Sequence, residues 1–146
     1  MKYYGICPAS CGEFVQGVMD RAEYLCSYAV DLYSTAEVEE KLNNINLGPL
    51  KSRKAIEAVF KKFNIPVEES KNISLKIRSK IPVGKGMASS TADIGATIGA
   101  TLGLIKKELS SEEIAKLAST IEPTDSLYIE KNSIFNPLNG EVIRYL

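Results

Sequence analysis

Alternation of apolar and polar residues marks the first forty positions as extended chain. Lys2 to Cys7 and Glu13 to Val18 read as short strands around a turn at Pro8-Ala9-Ser10-Cys11-Gly12, and Tyr24 to Val38 follows as strand, with Val30, Leu32, Ala36 and Val38 on one face. Asn43-Asn44-Ile45-Asn46 breaks the run. After Gly48-Pro49 the period becomes helical: Ile56, Val59, Phe60 and Phe63 share one face of a helix from about Leu50 to Phe63, with Lys and Arg on the other, and the aromatics read as core. Asn64-Ile65-Pro66 ends that helix. Ile73, Leu75, Ile77 and Ile81 then alternate with polar residues in a half-buried strand.

A second helix is predicted from about Ser89 to Leu104, with Ile94, Ile98 and Leu102 on one face and Gly95, Gly99 and Gly103 on another. Each interior glycine costs about 1 kcal/mol relative to alanine, so the glycine face implies close packing on a neighbour. Ser110 with Glu113 forms a capping box for a short helix that turns Ile114, Leu117, Ala118 and Ile121 inward and stops at Glu122-Pro123. Asn139-Gly140 predicts a hairpin turn between strands at Leu127–Ile129 and Glu141–Leu146.

A chain of 146 residues suits one domain and buries about two thirds of its unfolded surface. No repeat, low-complexity tract or linker interrupts it. The 18 basic and 18 acidic residues balance without a basic block, which excludes the electrostatic footprint of a nucleic-acid binder. Cys7, Cys11 and Cys26 are odd in number and histidine is absent, so neither a disulfide framework nor a zinc site is expected, and a reducing cytoplasm fits. Any general base must then be Asp, Glu, Lys or Tyr, and Cys11, lacking a base, reads as a small packing residue. No apolar leader follows Met1. The Gly86 to Ile105 stretch, despite its glycine spacing, carries too many polar residues for a membrane span. The chain ends on the strand-like Ile143-Arg144-Tyr145-Leu146, as expected of a piece of something longer.

The chemistry concentrates in Ile81-Pro82-Val83-Gly84-Lys85-Gly86-Met87-Ala88-Ser89-Ser90-Thr91-Ala92-Asp93. A strand feeds a glycine-rich loop, two hydroxyls follow, and a helix opens behind them. Backbone N–H groups in such a loop converge on phosphate oxygens, and the helix N-terminus adds its dipole. Ser89 and Ser90 suit a phosphate oxygen or the shell of its Mg2+ ion. Lys85 offers a point charge, and Asp93 favours the helix dipole. The spacing is not that of a Walker A loop.

The run resembles the second motif of the GHMP kinases (galactokinase, homoserine kinase, mevalonate kinase, phosphomevalonate kinase), roughly Pro-x-x-x-Gly-Leu-Gly-Ser-Ser-Ala. Pro82, Gly86, Ser89 and Ser90 match, Met87 stands for the leucine and Ala88 for the second glycine. Alanine takes a positive φ less readily, so a loop of somewhat different shape is expected. Cys7 to Gly17 resembles the family's first motif, and with Glu122-Pro123-Thr124-Asp125-Ser126 the chain is similar to the L-threonine kinase branch serving propanediol utilisation and cobalamin assembly.

The resemblance implies an α+β fold, a mainly antiparallel sheet with helices packed over one face. It also implies that residues 1–146 are the N-terminal ATP-binding domain, without the family's C-terminal domain and third motif. ATP would lie on Pro82, Gly84, Lys85, Gly86, Met87, Ala88, Ser89 and Ser90, and the acceptor beside Ser10, Gly12 and Glu13. Asp125 would be the catalytic acid-base group, and Glu122 would share Mg2+ with Ser89 and Ser90, although the spacing between the two acids is compressed relative to the family's. The expected partners are ATP, a small hydroxyl-bearing amino acid, and a separate C-terminal half or a second copy. Neither nucleic acid nor membrane is expected. The alternatives are a non-catalytic nucleotide- or phosphate-binding module, a kinase half inactive until a separate C-terminal partner completes it, and a purely structural domain.

Overall fold

The computed structural model describes residues 1–129 and 133–145. Its elements are β1 (Lys2–Met19), β2 (Ala22–Glu40), α1 (Leu50–Lys62), β3 (Ile73–Ser79), α2 (Ser89–Ile105), α3 (Ser111–Ser119), β4 (Ser133–Phe135) and β5 (Val142–Tyr145), with 3-10 turns at Val67–Asn72 and Ser126–Tyr128.

The strands form one antiparallel sheet. β1 pairs with one edge of β2 along its length, while β3 takes the other edge at Ser34–Glu40 and β4 meets that edge at Leu25 before pairing with β5. The expected turn at Pro8–Gly12 is absent: β1 runs through it, absorbing the irregularity as register shifts between Pro8 and Ala9, Ser10 and Glu13, and Glu13 and Val15. Such bulges kink a strand and re-aim its side chains without reversing it. The reversal comes at Asp20-Arg21, both at positive φ (48° and 66°), in a two-residue connection that matches the sheet's twist. The C-terminal hairpin turns at Asn139-Gly140 as expected, but Leu127 and Tyr128 lie in a 3-10 turn and the strand before the hairpin is β4. Leu146 lies outside the described residues.

Helix α2 lies across β1 and β2, with α1 and α3 against it. Val38, Leu75, Ile56, Phe60 and Ala96 fill the layer between sheet and helices, and Ala55, Val59, Ile94, Ile98 and Ala118 fill the one between helices. The glycine face of α2 packs as its cost demands. A Cβ on Gly5 of β1 would overlap the Ala96 carbonyl, and one on Gly95 would overlap the Tyr128 ring and approach Cys7 Sγ to 2.9 Å. Strand and helix thus meet backbone to backbone.

Arg53 corrects the expectation of a wholly polar basic face on α1. It is buried and donates to the carbonyls of Asn46, Leu47, Ser70 and Ile73, holding the chain on either side of the helix. The capping box at Ser110 forms with both of its hydrogen bonds. Among the described residues no helix is long and apolar enough to cross a membrane.

Candidate functional site

Buried Ile81 fixes the end of the β3 segment, and Pro82 to Gly86 then stand exposed. Gly84, Gly86 and Ala88 all have positive φ (72°, 70° and 57°), so the backbone alternates hand at every second residue. No atom lies within 4 Å of a Cβ built on Gly84 or Gly86, which means that conformation and not space demands glycine there. Ala88 takes the same left-handed conformation at a cost of about 1–2 kcal/mol for an L-residue.

The helix behind the loop starts open. Its first bond runs from the Ala92 N–H to the Ala88 carbonyl (3.0 Å), no side chain caps it, and its first turn holds no acid. Helix geometry leaves the N–H groups of Ser89, Ser90 and Thr91 without intrahelical acceptors at the positive dipole end. Asp93 does not offset that end. It is turned to the sheet, where Ser34 Oγ donates to its Oδ1 at 2.5 Å, and burial raises its carboxyl above the usual range. Lys85 is exposed in the loop, and Arg78 and Lys80 are exposed on the approach to it.

One hydrogen bond joins the two motifs that the sequence keeps far apart: the Ser10 N–H donates to the Met87 carbonyl at 3.0 Å. The Ser10 hydroxyl is buried within its own bulge, donating to the Gly12 carbonyl (3.1 Å) and accepting from the Gly12 N–H (3.2 Å). Glu13 is exposed and lies opposite Ser27 in the sheet. Cys11 is exposed, correcting its reading as a packing residue; Cys7 is buried and its thiol is pushed up to about 12.

Asp125 meets β2 at Ser27, the residue paired with Glu13. Ser27 Oγ donates to its Oδ1 at 3.0 Å. Burial raises the Asp125 carboxyl above its ordinary value, the Ser27 hydroxyl opposes that, and the Glu122 charge adds to it. Glu122 itself accepts a hydrogen bond from Lys51 Nζ in an ion pair. The described residues contain no group of three or more acidic or thiol side chains that encloses a metal site. Mg2+ accepts hydroxyl and carboxylate oxygens and keeps most of its shell as water and phosphate oxygen. An ion reaching Glu122 must displace Lys51.

Ser27, Lys51 and Tyr128 were invisible as site residues in the sequence. Ser27 meets an acid 98 positions away. Tyr128, whose hydroxyl donates to the Thr91 carbonyl at 2.6 Å, reads in isolation as one more strand residue.

The sequence and the fold are similar to those of known proteins. The GHMP kinases N terminal domain matches residues 51–128. The L-threonine kinase of Salmonella typhimurium is 44% identical over 134 residues, covering 92% of this chain and 44% of that protein. The L-threonine kinase of Citrobacter freundii is 39% identical, covering 92% and 46%. A crystal structure of mevalonate kinase superposes with a TM-score of 0.71 at 28% identity, covering 98% of this chain and 55% of that one. The chain thus spans about half the length of these relatives. With the strand, left-handed loop and open helix in the order that the second motif requires, the chain belongs to the GHMP kinase family and carries its N-terminal domain.

Proposed function

We propose that the chain is the ATP-binding half of a small-molecule kinase that phosphorylates the hydroxyl of L-threonine or a similar small amino acid. The observation that carries this reading is the Ser10 to Met87 hydrogen bond, because it sets the acceptor motif directly against the phosphate loop. The loop N–H groups and the open turn of α2 hold the phosphates, Lys85 adds charge, and Ser89 and Ser90 donate to phosphate oxygens or ligate Mg2+ together with Glu122. When bound, Mg2+ neutralises charge on the transferring phosphoryl group.

Phosphoryl transfer rests mainly on positioning and charge neutralisation. The acceptor oxygen attacks the γ-phosphorus, its proton passes to Asp125, and ADP leaves with the electrons of the broken P–O bond. Burial fits Asp125 for this role by raising its proton affinity, while Ser27 holds the carboxylate in place. Glu13 and the backbone around Gly12 lie on the acceptor side.

The share of the relatives that this sequence spans, 44% and 46%, favours a second reading beside the first. The chain binds nucleotide and turns over only when joined by the part of the enzyme that lies beyond it. Titrating Mg·ATP into the chain tests the site. Gly86→Val with Ser89→Ala should abolish the binding seen with the wild type in a protein that remains folded; unchanged affinity would place the nucleotide elsewhere. Phosphothreonine formation by the 146-residue chain at the rate of a complete kinase would overturn the second reading.

A further inference from the structure

The segment bearing Asp125 is short and has little structure of its own. It is a three-residue 3-10 turn behind an irregular stretch, so tertiary anchors must place it. The Thr124 N–H donates to the Pro137 carbonyl at 2.9 Å, and Ser27 on β2 donates to Asp125. The third anchor is Tyr128. Its hydroxyl donates to the Thr91 carbonyl at 2.6 Å, its ring occupies the space a Cβ on Gly95 would need, and it packs against all three apolar clusters. Of these anchors, Tyr128 reaches α2, and it does so in the turn that begins with Ser89 and Ser90. Burial raises the phenol far above its usual range, so it stays protonated and remains a donor.

We infer that Tyr128 is a positioning residue for phosphoryl transfer, its ring on Gly95 and its hydroxyl on the Thr91 carbonyl clamping the Asp125 segment to the helix that opens at the phosphate loop. The inference rests on the kinase reading of Asp125. A reaction that gains its rate from alignment loses much of it when the proton acceptor and the phosphate cradle move independently. Gly95 belongs to the same device, because any side chain there pushes the ring away from the helix.

The test is the titration of the Asp125 carboxyl in the 146-residue chain, followed by carbon-13 NMR. Ser27, Glu122 (paired with Lys51) and the Tyr128 phenol are the groups that bear on it; Ser27 and Glu122 stay unchanged in both variants, and Gly95→Ala keeps the phenol as well. Tyr128→Phe keeps the ring and removes the tether. Gly95→Ala keeps the tether's chemistry and displaces the ring. Each should let water reach Asp125 and move its midpoint down toward the ordinary carboxylate range, with the amide spectrum of the β1–β2 hairpin intact. A role confined to stability would lower the melting temperature and leave the midpoint alone. An unchanged midpoint in folded Tyr128→Phe protein overturns the inference, and Gly95→Ala decides by the same criterion if the phenylalanine variant does not fold. Failure of the wild-type chain to bind Mg·ATP would overturn the kinase reading instead, and would leave the Asp125 titration readable.

Discussion

Helices α2 and α3 begin in opposite ways. At α3, Ser110 accepts from the Glu113 N–H, Glu113 answers on the Ser110 N–H, and Glu112 and Glu113 put negative charge in the first turn. At α2 there is neither cap nor acid, and the residue before the helix is an alanine held in a left-handed conformation. The first start satisfies itself; the second leaves its donors and its dipole for something else. The far ends are alike: α3 closes at Thr120 with backbone bonds to Leu117 and Ala118, and α2 closes at Lys106 with backbone bonds to Leu102 and Gly103. The two helices therefore differ at their starts and not at their ends.

On the proposed function, the largest effect should come from Asp125, in the segment that follows α3. In a complete enzyme, Asp125→Asn should lower kcat by about 10²–10⁴-fold with ATP affinity retained, as removal of a proton acceptor does. Because burial raises the Asp125 carboxyl, the acid limb of the kcat profile should lie above the usual carboxylate range. Ser27→Ala removes the hydrogen bond that stabilises the anion, so it should move that limb to still higher pH. Steady-state kinetics against pH checks both, and turnover near wild type in Asp125→Asn would leave catalysis to positioning and electrostatics alone.

Making the start of α2 resemble that of α3 should split binding from stability. Ser89→Asp should weaken Mg·ATP by about tenfold, equivalent to about 1.4 kcal/mol. The same change should leave the apo protein equally or more stable, by up to about 1 kcal/mol, because the acid complements the dipole. Calorimetric titration and thermal unfolding of one sample measure the two effects. The reverse experiment, Ser110→Ala, should cost about 1 kcal/mol of unfolding free energy and leave nucleotide affinity unchanged. The smallest effect belongs to Ala88→Gly, which relieves the left-handed strain but adds freedom to the unfolded chain. A net gain below about 1 kcal/mol is expected in denaturant unfolding, with nucleotide binding preserved.

Features written in local periodicity were legible. The helix from Leu50, the glycine-faced helix from Ser89 and the capping box at Ser110 lie where alternation, spacing and cap chemistry put them. Pro8 to Gly12 misled because its composition is that of a turn, whereas pairing with β2 keeps the strand going and turns the irregularity into bulges. The true reversal uses Asp20-Arg21, a pair without the glycine that usually marks such turns. Within the site, the loop residues announced themselves by type and order. Ser27, Lys51 and Tyr128 did not, because each acts on a residue far along the chain and none has a chemistry that singles it out. The reading of Arg53 fails for a related reason: a basic residue at a helical position reads as solvated, and its carbonyl partners at Asn46, Leu47, Ser70 and Ile73 lie outside its helix, where the helical period says nothing of them.

The seam between Gly5 and the Ala96–Ala100 turn of α2 leaves no slack for even one methyl group. Adding one would force apart the strand that carries the Ser10 bulge and the helix that the Gly84–Ala88 loop enters, the two bodies whose register the Ser10 to Met87 bond depends on. Gly5, with no side chain and no chemistry, should therefore tolerate substitution as poorly as a residue that touches substrate, and variation in this protein should be freer at exposed Lys85 in the glycine-rich loop than at the foot of its first strand.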